Sequence, residues 1–183
     1  PDPVQQLLEE MTLEQKVGQL FLVRPDSLDL SQTQDQINDA KADGVTELTD
    51  AMRQTLAEYP VGGVVIFGKN LESPQQITQF LDDLQQASDT PLFTAIDEEG
   101  GLVARLANNA AFDLPQYESA AAVGTSGNPE DARAMGRTIG GYLKEYGFNL
   151  DFAPVADVNT NPDNPVIGTR AFSSEPQTAA DLV

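Results

Sequence analysis

The chain has 183 residues, enough for one domain with a sizeable core, and its 40% hydrophobic share fits a globular rather than a disordered protein. Ten Lys and Arg against 29 Asp and Glu leave a net charge of −19. That balance argues against nucleic acid and anionic membrane surfaces as partners, because both reward basic side chains. The acids are spread along the chain and read as a solvated surface. With no cysteine there is no disulfide framework and no thiolate nucleophile. With no histidine, Ser-His-Asp chemistry, imidazole acid/base catalysis and the commonest zinc ligand are removed together. No metal or cofactor is implied. No apolar run approaches the ~20 residues that span a bilayer. The chain opens at Pro1-Asp2-Pro3 without Met, which reads as a processed or trimmed product whose targeting segment is out of view.

In chain order, Thr12 and Gln15 stand at capping-box spacing, and Val17 and Leu20 continue an apolar stripe. Phe21-Leu22-Val23 reads as a short strand. The segment from Pro25 to Tyr59 is polar and acidic at first. It then carries Leu48, Met52 and Leu56 at helical spacing, so it predicts one or two helices. Val61 to Phe67 is the next apolar run. Ser73, Pro74 and Gln76 open a helix whose stripe is Ile77, Phe80, Leu81 and Leu84. Leu92 to Ile96 is a third strand. Asn128 and Pro129 start a long helix with Glu130 and Asp131 at its positive end, Ala132, Met135, Ile139 and Leu143 as its stripe, and Gly147 as its stop. Leu150 to Ala153 is a fourth strand, and Ser174 with Gln177 marks a last helix start. The strands lack polar alternation, as strands covered on both faces do. Strands alternating with helices predict an α/β fold with a parallel sheet, about four strand–helix units in all. That suits either a small open sheet or the first half of a (β/α)8 barrel, which needs about 250 residues.

The chemistry concentrates where the third strand ends. Ile96 is followed by Asp97-Glu98-Glu99-Gly100-Gly101, and Arg105 follows. The C-terminal tip of a parallel strand is where such folds place catalytic and binding groups. A carboxylate there can accept bonds from adjacent hydroxyls of a sugar. The paired glycines let the backbone turn tightly. The alternative is that these acids cap the next helix or face water. Arg105 reaches the same pocket through two helical turns, or a loop and one turn, or else makes a surface ion pair. The strand ending at Asp151 runs into a long loop rich in Asn, Asp and Pro, and Arg170 lies beyond it. A loop of that length is more often functional than idle. A dinucleotide fingerprint, a P-loop and a calcium loop are absent from the sequence.

Taken together, the blocks Met11–Leu20, Val61–Phe67, Ile96–Arg105, Gly147–Val158 and Asn164–Phe172 resemble, in order, the N-terminal barrel domain of glycoside hydrolase family 3. Within it the chain is most similar to bacterial β-N-acetylglucosaminidases, that is, β-hexosaminidases. The resemblance spans nearly the whole chain, so 1–183 reads as one partial barrel domain, with 25–59 as an insertion-like helical segment. That segment is more similar to the secreted or surface-anchored branch than to the cytoplasmic one, which implies an extracellular or cell-surface location.

The resemblance implies the N-terminal half of a TIM-like (β/α)8 barrel that acts on carbohydrate. Asp97 and Arg105 fall on the family's D-x-E-G-G-x-V-x-R block and Arg170 on its I-G-x-R-[SA]-F block, which implies sugar binding by all three. Leu102 departs from the arginine often found in the first block. The family's Lys-His block, its His–Asp acid/base dyad and its aspartate nucleophile have no counterpart here. The resemblance thus implies exo-hydrolysis of terminal β-N-acetylglucosaminyl residues from cell-wall-type glycans with retention, this chain holding the sugar and lacking the catalytic groups. A family 3 β-glucosidase and a non-catalytic sugar-binding module are the other readings. Half a barrel leaves strand edges unpaired, so the chain is expected to persist with its missing half, by self-association, or by rearrangement.

Overall fold

A computed structural model describes residues 2–183. They form two compact units, one ending at Ala95 and the other running from Ile96 to Val183.

The first unit opens with α1 (Pro3–Glu10), capped by the Asp2 side chain, and α2 (Leu13–Gly18). The predicted capping box forms around α2: Thr12 Oγ1 accepts from Gln15 N, and the Gln15 side chain accepts from Thr12 N. The stripe it was expected to bury is not buried. Val17 of α2 is 47% exposed, and Leu20, two residues past the helix end, is 80% exposed. Strand β1 (Leu22–Val23) pairs in parallel with β2 (Gly63–Ile66), Leu22 opposite Gly63 and Val23 opposite Val64. Strand β3 (Phe93–Ile96) follows β2 in the sheet, and Phe93 N donates to Gly62 O at 2.9 Å. The expectation of strands covered on both faces holds for Val64, Ile66, Ala95 and Ile96, which are buried. It fails for β1, whose residues are half-buried, and for Phe93, which is exposed.

Between β1 and β2 the chain forms a 3-10 turn (Pro25–Leu28), α3 (Gln34–Asn38) and α4 (Asp50–Glu58). Leu48, Met52 and Leu56 are buried as their spacing predicts, and Thr49 caps α4. An ionic knot ties this segment to the residues after β2. Asp26 is fully buried, accepts from Val45 N and Asn70 Nδ2, and pairs with Lys69 Nζ at 3.2 Å. The same Nζ donates to the Gln36 and Ile37 carbonyls at 3.0 Å, satisfying acceptors at the end of α3. Helix α5 (Pro74–Gln86) starts at Ser73, whose Oγ accepts from Gln76 N, and buries Ile77, Phe80, Leu81 and Leu84.

The second unit begins as Ile96 leaves β3. The chain turns at once into an antiparallel hairpin of β4 (Glu98–Gly100) and β5 (Val103–Ala104). Gly100 and Gly101 have φ of +81° and +67°, where a side chain would be strained. A Cβ on Gly101 would also press on the Glu118 and Ser119 backbone at 2.9 Å. Helices α6 (Ala120–Gly124) and α7 (Pro129–Glu145) follow, and α7 has the predicted Asn128 cap and a Gly147 stop at φ +95°. It buries Ala132, Met135, Ile139 and Leu143 as expected, and Tyr142 as well. Strand β6 (Leu150–Asp151) is half-buried, and Phe152 N donates to Ile96 O at 2.9 Å. A long irregular stretch then leads to a 3-10 turn (Gly168–Arg170) and α8 (Pro176–Leu182). The start of α8 departs from the sequence expectation. Glu175 stands at the cap, and Ser173 Oγ, not Ser174, accepts from Glu175 N. Among the described residues no helix is long and apolar enough to cross a membrane.

Candidate carbohydrate-binding site

The three carboxylates that end β3 and open β4 have different surroundings. Asp97 is partly exposed, and its Oδ2 accepts from Arg105 Nη2 at 3.1 Å. The hairpin, rather than the helix or loop expected, carries Arg105 back to Asp97. Glu98, next in sequence, points into the core and is fully buried. Its carboxylate accepts from Leu106 N and Ala107 N, both at 2.9 Å, and from Tyr142 Oη at 2.8 Å. Two of those donors directly follow Arg105, so Glu98 fixes the backbone from which Arg105 projects. Glu99 is buried and grips Arg170 by two parallel bonds, Nε to Oε2 at 2.8 Å and Nη2 to Oε1 at 2.6 Å.

Electrostatics follow from this crowding. Burial raises the Asp151 carboxyl to about 6, and the charges of Glu98, Asp97 and Glu99 push the same way. The bond from Glu98 N to Asp151 Oδ1, 3.0 Å, opposes them in part. Burial, then the Glu98 charge, holds the Tyr142 phenol well above its ordinary value, which keeps it a donor. The hydrogen bonds to Glu99 raise the Arg170 guanidinium, helped by the charges of Glu99, Asp157 and Asp97. Arg170 therefore stays a cation within reach of the acids around Asp97.

The structure thus gathers Asp97, Arg105 and Arg170 around consecutive residues of one strand end. It also brings in Glu98, Glu99 and Asp151, which the sequence shows only as acids at strand ends with no site role, and Tyr142, which it does not mark. A cavity of about 600 Å³ in the same unit is lined by Glu98, Glu99, Asp151 and Arg170 together with Met135 and Ile139 of α7. Asp97 and Arg105 do not line it. The strand end and not this cavity is therefore the better centre for the site, since it carries the exposed hydrogen-bonding groups.

The glycosyl hydrolase family 3 N terminal domain profile matches residues 12–183. The chain belongs to that family. It is 36% identical over 143 residues to β-hexosaminidase A of Pseudoalteromonas piscicida, covering 75% of this chain and 24% of that protein. It is 35% identical over 141 residues to a β-hexosaminidase of Nitrosomonas eutropha, covering 75% of this chain and 40% of that one. Among solved structures, a glycoside hydrolase family 3 β-N-acetylglucosaminidase from Paenibacillus superposes with a TM-score of 0.77 at 34% identity, covering 94% of this chain and 29% of that chain. The chain spans between about a quarter and two fifths of the length of these relatives. Its fold is α/β with a parallel sheet, as the order of strands and helices predicts, and of the TIM-barrel type that its structural neighbours have, as the family resemblance implies.

Proposed function

We propose that this chain forms the sugar-binding part of a retaining glycosidase that removes terminal β-N-acetylglucosaminyl residues from cell-wall-type glycans. The observation that carries the reading is the Asp97–Arg105 pair, fixed at the exposed tip of a parallel strand and backed by Arg170. Asp97 spends Oδ2 on Arg105, and Oδ1 is left to accept from a sugar hydroxyl. Arg105 neutralises Asp97 and orients it, so that the carboxylate grips without itself attacking. The naming of the relatives as β-hexosaminidases and β-N-acetylglucosaminidases favours an N-acetylated sugar over glucose.

Retention requires a nucleophilic carboxylate and a separate acid/base group. In this reading neither is supplied here: Asp97 is engaged in binding, and the sequence holds no histidine for the family's dyad. The chain by itself is then a binder with little or no turnover. The test is to titrate N-acetylglucosamine into the chain and to offer it 4-nitrophenyl N-acetyl-β-glucosaminide. Binding without nitrophenol release is expected. A protein in which the chain is extended to the length of its relatives should release nitrophenol, with the β-anomer as first product by NMR. An α-anomer as first product, or sugar binding indifferent to Asp97→Ala, would defeat the reading.

A further inference from the structure

We propose that Glu99 is the positioning residue for Arg170, holding its guanidinium so that one edge stays open to the sugar; this rests on the sugar-site reading above. The two partners differ in how they are held. Glu99 sits on β4 with its side chain buried, so its carboxylate has little freedom. Arg170 lies on a 3-10 turn at the end of a long irregular stretch, where no strand or helix fixes a flexible side chain. An arginine so placed would spend binding energy on ordering itself before it could hold a ligand.

The contacts remove that freedom. Glu99 takes the side of the guanidinium formed by Nε and Nη2. Nη1 donates to the Val166 carbonyl at 3.2 Å. Val166 is held in turn, because Asn164 Oδ1 accepts from its backbone N at 2.9 Å. Of the fork's donors, one N–H on Nη1 and one on Nη2 remain, and these form the end-on edge of the plane. Two parallel donors suit two neighbouring oxygens, such as adjacent hydroxyls. Because Glu99 already balances the guanidinium charge, the edge favours neutral oxygens over an anionic ligand.

The test uses the chain with N-acetylglucosamine as probe, in the wild type and in Glu99→Gln, Arg170→Ala and the double variant. Glutamine keeps the size of Glu99 but sets an NH2 group against an N–H, so one of the parallel bonds is lost. Arg170→Ala is expected to weaken sugar binding about tenfold or more, and Glu99→Gln by a similar factor, with the double variant no worse than Arg170→Ala alone. The 15N-detected Nε–H of Arg170 should exchange slowly in the wild type and fast in Glu99→Gln, while that of Arg105 stays unchanged and reports an intact hairpin. Unchanged sugar affinity in Glu99→Gln, additive losses in the double variant, or an unaltered Arg170 Nε–H would overturn the positioning role and leave the sugar site standing. A wild type that binds no sugar, or binds as Arg170→Ala does, would overturn the site and this role with it.

Discussion

The Tyr142 hydroxyl donates to Glu98 Oε1 at 2.8 Å, deep in the second unit, where both residues are buried. That bond ties the last turn of α7 to the first residue of β4. Glu98 also serves Leu106 N and Ala107 N, so one carboxylate holds the hairpin shut from within. Removing it leaves a phenol and two amides without their acceptor. Glu98→Ala is expected to cost about 3–5 kcal/mol of unfolding free energy, and Tyr142→Phe about 1.5–3 kcal/mol, since one bond to a charged group is lost. Urea denaturation followed by far-UV circular dichroism measures both. A Glu98→Ala variant as stable as the wild type would mean that water replaces the carboxylate at no cost.

Asp97, its neighbour, is expected to behave in the opposite way. The side chains of Asp97 and Arg105 are 26% and 31% exposed, so their ion pair is screened. Pairs of this kind are worth about 0–1 kcal/mol. Asp97→Ala should therefore shift stability by less than about 1 kcal/mol while weakening N-acetylglucosamine binding at least about tenfold. Matching losses in melting temperature and affinity would make Asp97 a structural group.

The contrast between these neighbours shows where sequence reading succeeds and fails. Ile77, Phe80, Leu81 and Leu84 are legible because a helix with one apolar stripe has only one way to bury it. Asn128 and Gly147 are legible because caps and stops are local chemistry. The apolar stripe running from α2 past its end is equally visible in Val17 and Leu20, but a pattern does not tell what covers a stripe, and here both are exposed. The hairpin escapes detection because Val103–Ala104 is too short to show a period. Burial of Glu98 escapes because a carboxylate within an acidic run reads as solvated, and its donors Leu106, Ala107 and Tyr142 are assembled only by the fold. Asp97 stands out by its place at a strand end, and the family pattern adds roles for Arg105 and Arg170; the E of that same pattern is Glu99, whose grip on Arg170, 71 residues away, only the fold reveals.

Asp151 gives a pH signature. Its carboxyl is raised from 3.8 to about 6, first by burial and then by the charges of Glu98, Asp97 and Glu99. The folded value lies above the unfolded one, so the contribution is fully present below about pH 3.8 and is lost as pH rises through about 6. Asp151→Asn keeps an oxygen for the Glu98 N–H and removes the charge. It should become more stable than the wild type as pH rises from 4 to 7, by on the order of 1–3 kcal/mol, given partial solvent access. Unfolding curves at several pH values test this, and parallel stability profiles for the two proteins would refute it.

The last expectation concerns the first unit, where Asp26 and Lys69 pair at 3.2 Å with both side chains almost wholly buried. Such a pair adds little over an apolar pair of the same shape, but breaking it strands a charge. Lys69→Met leaves Asp26 with Val45 N and Asn70 Nδ2 and no counter-ion, and it also frees the Gln36 and Ile37 carbonyls. The cost is expected to be about 3–5 kcal/mol. Adding Asp26→Asn should recover part of it, because the uncompensated charge is gone while an oxygen remains for Val45 N. A coupling of about 1–3 kcal/mol in the resulting double-mutant cycle would mark the pair as one unit. Hydrogen exchange in Lys69→Met should rise first in residues 25–45, the stretch that the lysine ties down. Additive losses, with exchange spread evenly over the unit, would show that Lys69 acts only as bulk.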